Sequence, residues 1–180
     1  MQIEDGKGTG NRAEVNEEKQ LVVSAITETS LEHESEENGS GYVWSSSNVT
    51  VDATDTVLLL KNTSDTPLHI ECVKVSGTVA TTQVTVHLPT TEVTVTAGGG
   101  GAVVTGTNLN TSSSNVADAS AASDETNNSQ GNIIAEVFLS GDSTENIETP
   151  GLILGKNKSI GVDTSNTLEI AAAIVGHFED

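Results

Sequence analysis

The feature that most limits the fold is a set of short alternating runs of apolar and polar residues, rich in valine and threonine, in an otherwise polar chain. Leu68-His69-Ile70-Glu71-Cys72-Val73-Lys74-Val75 alternates and stops at Ser76-Gly77. A period of two sends successive side chains to opposite faces, so this run is a half-buried strand. Its apolar phase changes near Cys72, which predicts a bulge or twist there. Val49-Thr50-Val51, Gln83 to Leu88 and Glu92 to Thr96 alternate in the same way, the last two separated by a turn at Pro89. Val57-Leu58-Leu59-Leu60 is a continuous apolar run that ends in Asn62-Thr63-Ser64-Asp65-Thr66-Pro67. Leu21 to Ile26, Ile133 to Leu139, Gly151 to Leu154 and Ser159 to Val162 add further strands. Leu168 to Val175 is alanine-rich and long enough for a helix, but the Asn166-Thr167 turn and the flanking strands favour a strand. Valine and threonine suit a pleated surface because branching at Cβ restricts their rotamers. The expectation is an all-β chain folded as an antiparallel β-sandwich, jelly-roll-like.

Charge and composition then decide the organisation. The 180 residues carry 26 Asp+Glu against 7 Lys+Arg, a formal net charge of −19, with 34% apolar residues. Such numbers also occur in disordered chains, but here the apolar residues are concentrated in runs, which argues for a core flanked by polar loops. Residues 1–40 read as an arm and acidic linker: Gly6, Gly8 and Gly10 stand among charged residues with little to pack. Ser30–Glu37 reads equally as a short helix or as solvated linker. Residues 41–180 read as the sandwich, with a long polar loop at 108–131 in which Val116 is nearly the only core candidate. The acidity excludes a generic nucleic-acid binder, which needs clustered Lys and Arg. No apolar window is long enough for a membrane-spanning helix, and the first residues do not read as a signal peptide.

No residue pattern supports catalysis. His33, His69, His87 and His177 are scattered. His69 and Glu71 share one strand face and are a weak metal pair, read here as a solvated face. Cys72 is the only cysteine; mid-strand, it reads as a structural thiol. Gly6-Lys7-Gly8-Thr9 and Gly155-Lys156-Asn157 lack the spacing of a phosphate-binding loop. The Asp118–Asn128 and Asp142–Glu148 stretches can hold Ca²⁺ only loosely, without a 12-residue loop pattern. The sequons at Asn48, Asn62 and Asn110 are expected by chance in so polar a chain. The expectation is therefore a non-enzyme, with no catalytic, cofactor-binding or metal residues assigned and no cofactor.

Three stretches resemble a family of tailed-bacteriophage virion structural proteins. Ile3-Glu4-Asp5-Gly6-Lys7-Gly8-Thr9-Gly10, followed by Ala13, Val15, Leu21 and Val23, is similar to the arm of such proteins. Leu58-Leu59-Leu60-Lys61-Asn62, through Ser64-Asp65 to Leu68-His69-Ile70, is similar to their core hairpin, and Asn108-Leu109-Asn110 with Ser114-Asn115, Ala117 and Ala119 to a polar loop. Gly151-Leu152-Ile153-Leu154, Ser159-Ile160 and Ile174 to Asp180 are similar to their closing strands. The resemblance implies a virion protein on the capsid surface, made in the host cytoplasm: a decoration or cement protein that binds the major capsid protein, through residues 1–27 above all. It further implies a homotrimer and no nucleic-acid or membrane partner. A head-fibre, neck or tail protein and a Ca²⁺- or carbohydrate-binding β-sandwich module are the alternatives.

Overall fold

A computed structural model of the chain describes residues 14–15, 21–22, 29–51, 55–78, 80–97, 101–125, 131–165 and 168–179. Two short strands, β1 (Glu14–Val15) and β2 (Leu21–Val22), pair with each other. A single helical turn, α1 (Ser30–His33), continues as a π-helical turn over Glu34–Asn38. The remaining elements are strands: β3 (Gly41–Val51), β4 (Thr56–Asn62), β5 (Leu68–Gly77), β6 (Ala80–Leu88), β7 (Val103–Val104), β8 (Thr107–Asn108), β9 (Ala119–Glu125), β10 (Asn132–Ser140), β11 (Ser143–Leu154), β12 (Ser159–Thr164) and β13 (Leu168–Phe178). They form two antiparallel sheets, ordered β10-β6-β12-β4-β9-β7 and β11-β5-β13-β3-β8.

The order is that of a jelly roll. β3 pairs with β13, β4 with β12, β5 with β11 and β6 with β10. The chain thus behaves as one long hairpin whose two arms run side by side and roll up, successive strands of each arm alternating between the sheets. Residues 89–131, the tip of that hairpin, carry the additional strands β7, β8 and β9.

The interior between the sheets is filled by Trp44, Leu58, Leu60, Leu68, Ile70, Val73, Val84, Val86, Leu139, Ile160, Val162, Ile170 and Ile174. Burying one such aliphatic side chain stabilises the fold by about 1.5–3 kcal/mol. In β4, Leu59 points away from this interior and is still fully buried. The outer face of the six-stranded sheet is therefore covered over β4. Lys61, on the same side of β4 as Leu59, donates to the Val93 carbonyl at 3.0 Å and to Glu92 at 2.8 Å. Those contacts bring the segment after Pro89 onto that face.

Three expectations are corrected here. Glu92 to Thr96 alternates as a strand does but is not one, since it lies across a sheet face rather than beside an edge with a free ladder. The polar loop expected at 108–131 contains β9, which pairs with β4 along Leu58 to Asn62. Its Ala121, Ala122 and Ser123 are buried because small side chains fit where the neighbouring strand already supplies bulk. Val116, the core candidate of that stretch, is exposed. Of the two readings of Ser30–Glu37 the helical one is formed, capped by Thr29 in a reciprocal box with Glu32.

The phase change in β5 is present. Ile70 pairs with Gly176 and Cys72 with Val175, leaving Glu71 as the extra residue. Gly176 is required at this point: a Cβ there would lie 2.3 Å from the His69 carbonyl oxygen. Truncation of Leu60 to alanine should cost about 3 kcal/mol, within the usual range for a buried leucine. Equilibrium urea unfolding at constant m-value measures this.

Candidate functional site

The bulge at Glu71 organises a histidine–carboxylate cluster at one end of the five-stranded sheet. His69 of β5 and His177 of β13 are register partners, and their rings stack at 5.1 Å with an interplanar angle of 16°. His69 Nε2 lies 2.8 Å from Glu179 Oε2, and His177 Nδ1 lies 3.2 Å from Glu71 Oε1. The helical segment covers this pair. Ser40 donates through its hydroxyl to Glu34 Oε2 at 2.9 Å, Asn38 donates to the same oxygen at 2.7 Å, and the Phe178 amide donates to the Ser40 carbonyl at 3.1 Å. Thr29, Ser30, His33, Glu34, His69, His177 and Glu179 line a polar cleft of about 460 Å³.

The electrostatics follow from burial. His177 is almost wholly buried, and loss of water pushes its pKa below the ordinary histidine value, assisted by His69 and opposed by Glu71, Glu34 and Glu179. The Glu34 carboxyl is held below the usual carboxylate range, first by the Asn38 amide and also by the Ser40 hydroxyl, against the cost of burial. The Cys72 thiol is pushed up by burial, which keeps it a thiol rather than a thiolate at neutral pH.

Other residues singled out from the sequence lie elsewhere. His87 is buried on the outer side of the six-stranded sheet, 3.1 Å from Asp163 Oδ2 through Nδ1. His69 and Glu71 do reach one cluster, but among the described residues no group of three or more metal-ligating side chains converges. Lys156 of the Gly155-Lys156-Asn157 turn pairs with Asp65 at 2.8 Å. Gly6 to Thr9 fall outside the described residues, as does most of the expected contact segment 1–27. Asn62 of the second sequon is fully buried, its Nδ2 donating to the carbonyls of Leu154 and Thr66 at 2.8 and 3.0 Å. That amide is committed to the fold.

A second surface was not legible as a site. Among the described residues β10 is the outermost strand of its sheet, beside β11, the outermost strand of the other. Phe138 and Ile133 pair with Gln83 and His87, and so share the outer sheet face with them. Phe138 is 62% exposed and Ile133 58%, and the adjoining Ile134 is exposed as well. The strand holds a single charged residue, Glu136, and neither lysine nor proline; its protection as an edge is limited to irregularities of register between Ile133 and Ala135 and between Leu139 and Ser140. An open row of main-chain groups flanked by apolar side chains is suited to receiving another polypeptide. The signal in sequence was the Ile133-Ile134 doublet and Phe138, which make the strand more apolar than its one-sided burial requires.

No family model, no curated protein and no solved structure matches this chain.

Replacing Thr29 by alanine removes the cap of α1 and should cost that turn about 1 kcal/mol. Amide exchange at residues 30–33 should accelerate while β4 is unaffected.

Proposed function

We propose that this chain is a structural virion component of a tailed phage, a decoration (cement) protein that binds the outer surface of the major capsid protein and stiffens the head. The observation that carries the reading is the open apolar edge at β10, a binding surface on a rigid jelly roll. A protein repeated over a shell needs a stiff body and a contact surface rather than a reaction centre. The resemblance of its arm, core hairpin and closing stretches to phage virion proteins supplies the partner. The net charge of −19 suits a crowded outer surface, where like charge keeps particles apart. A trimer, in which each copy meets both the shell and its neighbours, is part of the proposal.

Copy number per purified particle, measured by quantitative mass spectrometry, tests it. Hundreds of copies are expected; about a dozen or fewer would assign the chain to the neck, tail or a fibre instead. Binding to a glycan array or calcium-dependent melting would favour a ligand-binding sandwich module. The contact surfaces are tested separately. Phe138→Lys should lower particle occupancy at least tenfold while leaving the urea midpoint unchanged, because an exposed side chain contributes little to folding. Deletion of residues 2–18 should also lower occupancy, and full binding by that variant would remove the arm from the model.

A further inference from the structure

The histidine pair and the helical segment above it form a unit whose geometry has a consequence for acid conditions. The segment 29–40 is held to the sandwich at its C-terminal end, where Phe178 donates to the Ser40 carbonyl, Asn108 to the Gly39 carbonyl at 2.7 Å and Asn115 to the Asn38 carbonyl at 3.0 Å. Ser40 and Glu34 bond to each other within the segment. Directly beneath lies His177, 2% exposed, stacked on His69. The titratable groups facing His177 are Glu71 and His69 from β5, Glu179 from the end of β13, and Glu34 from the helical segment, with His33 on the cleft wall.

We infer that this assembly is an acid-sensitive latch: protonation of His177 loosens the segment 29–40 from the ends of β5 and β13. A proton on His177 places a cation in a site almost closed to water, with a second imidazole stacked 5.1 Å away. Among the described residues, the carboxylate against the ring nitrogen is that of Glu71, at 3.2 Å. Thr29, Ser30, His33 and Glu34 of the segment 29–40 form the wall of the cleft that His177 also lines, so moving that segment is the way to relieve the charge. Opening it hydrates the imidazolium at the cost of the bonds that Asn108 and Asn115 donate to Gly39 and Asn38. The depressed pKa gives the same sign. Neutral His177 favours the closed state above the ordinary value of 6.5, and that contribution is lost as pH falls from 6.5 through the lower value of the folded protein. Glu34 acts in a separate, more acidic range, since its carboxyl is held below 4.5. Acidification to pH 5 therefore addresses the histidine and not the Glu34 bonds. The latch does not depend on the phage assignment, and its experiment needs only the full chain.

Hydrogen exchange, corrected for the intrinsic pH dependence of amide exchange, tests the inference between pH 7.5 and pH 5.0. Protection across 30–40 should fall at least about threefold, the one-proton limit being about tenfold per pH unit, while β4 and β6 hold. His177→Asn, which keeps a polar group near the Nδ1 position but does not titrate, should show no such fall. Glu71→Gln should depress the midpoint of His177 further, an effect that a purely structural role for Glu71 would not produce. Unchanged protection in the wild type, or the same fall in His177→Asn, would overturn the latch. Should that variant not fold, NMR titration of the wild-type imidazoles decides: His177 must titrate below 6.5, together with shifts of the 30–40 amides, and a midpoint at or above 6.5 sinks the inference.

Discussion

β4 is buried on both faces, and the rest of the structure is arranged around that fact. Leu58 and Leu60 enter the core between the sheets, while Leu59 enters the layer outside it. A strand of this kind needs a neighbour on each side and cover above and below. β12 and β9 supply the neighbours, and the segment after Pro89 contributes cover on the outer face. The strand ends at Asn62, which knits three chain segments together: its amide group bonds Thr66 and Leu154, its backbone bonds Asn157 and Lys158, and its side-chain oxygen accepts from Ser64. A buried amide with its hydrogen bonds made fixes register where an apolar side chain would allow slippage.

Much of this architecture was readable because strands half-buried in a sandwich write a period of two into the sequence. β5 and β6 were visible in that way, β4 through its continuous apolar run, and β13 through the turn at Asn166-Thr167 and the strands around it rather than through any rhythm of its own. What was not readable had a common physical cause: the partner, not the segment, determines the structure. β9 reads Ala-Ser-Ala-Ala-Ser-Asp-Glu and has no apolar rhythm, yet it is a strand because β4 offers it a ladder and little room. Glu92 to Thr96 has the rhythm and no ladder.

The histidine cluster shows the same division. His69 and Glu71 were placed on one face from spacing alone. Their actual partners, Glu179 and His177, stand about a hundred residues later and arrive through β13. Glu34 comes from the helical segment on the other side. No local pattern encodes such a convergence, because it depends on which strands become neighbours. The edge at β10 was obscured for the opposite reason. Its apolar residues look like core until the sheet order places them on the rim.

The sheet order also bears on how the protein is made. β13 lies between β5 and β3 in one sheet, and β12 lies between β6 and β4 in the other. In the sequence, each of these central strands follows both of the strands it joins. Until residues 159–178 have emerged, β4 and β6 lack the strand that joins them, and so do β3 and β5. Until then the nascent chain carries Leu58 to Leu60 without one of the two neighbours of β4, and folding waits for contacts between distant residues. High negative charge along the chain is a physical means of surviving that interval without aggregation. The acidity that suits the finished surface also protects the unfinished one.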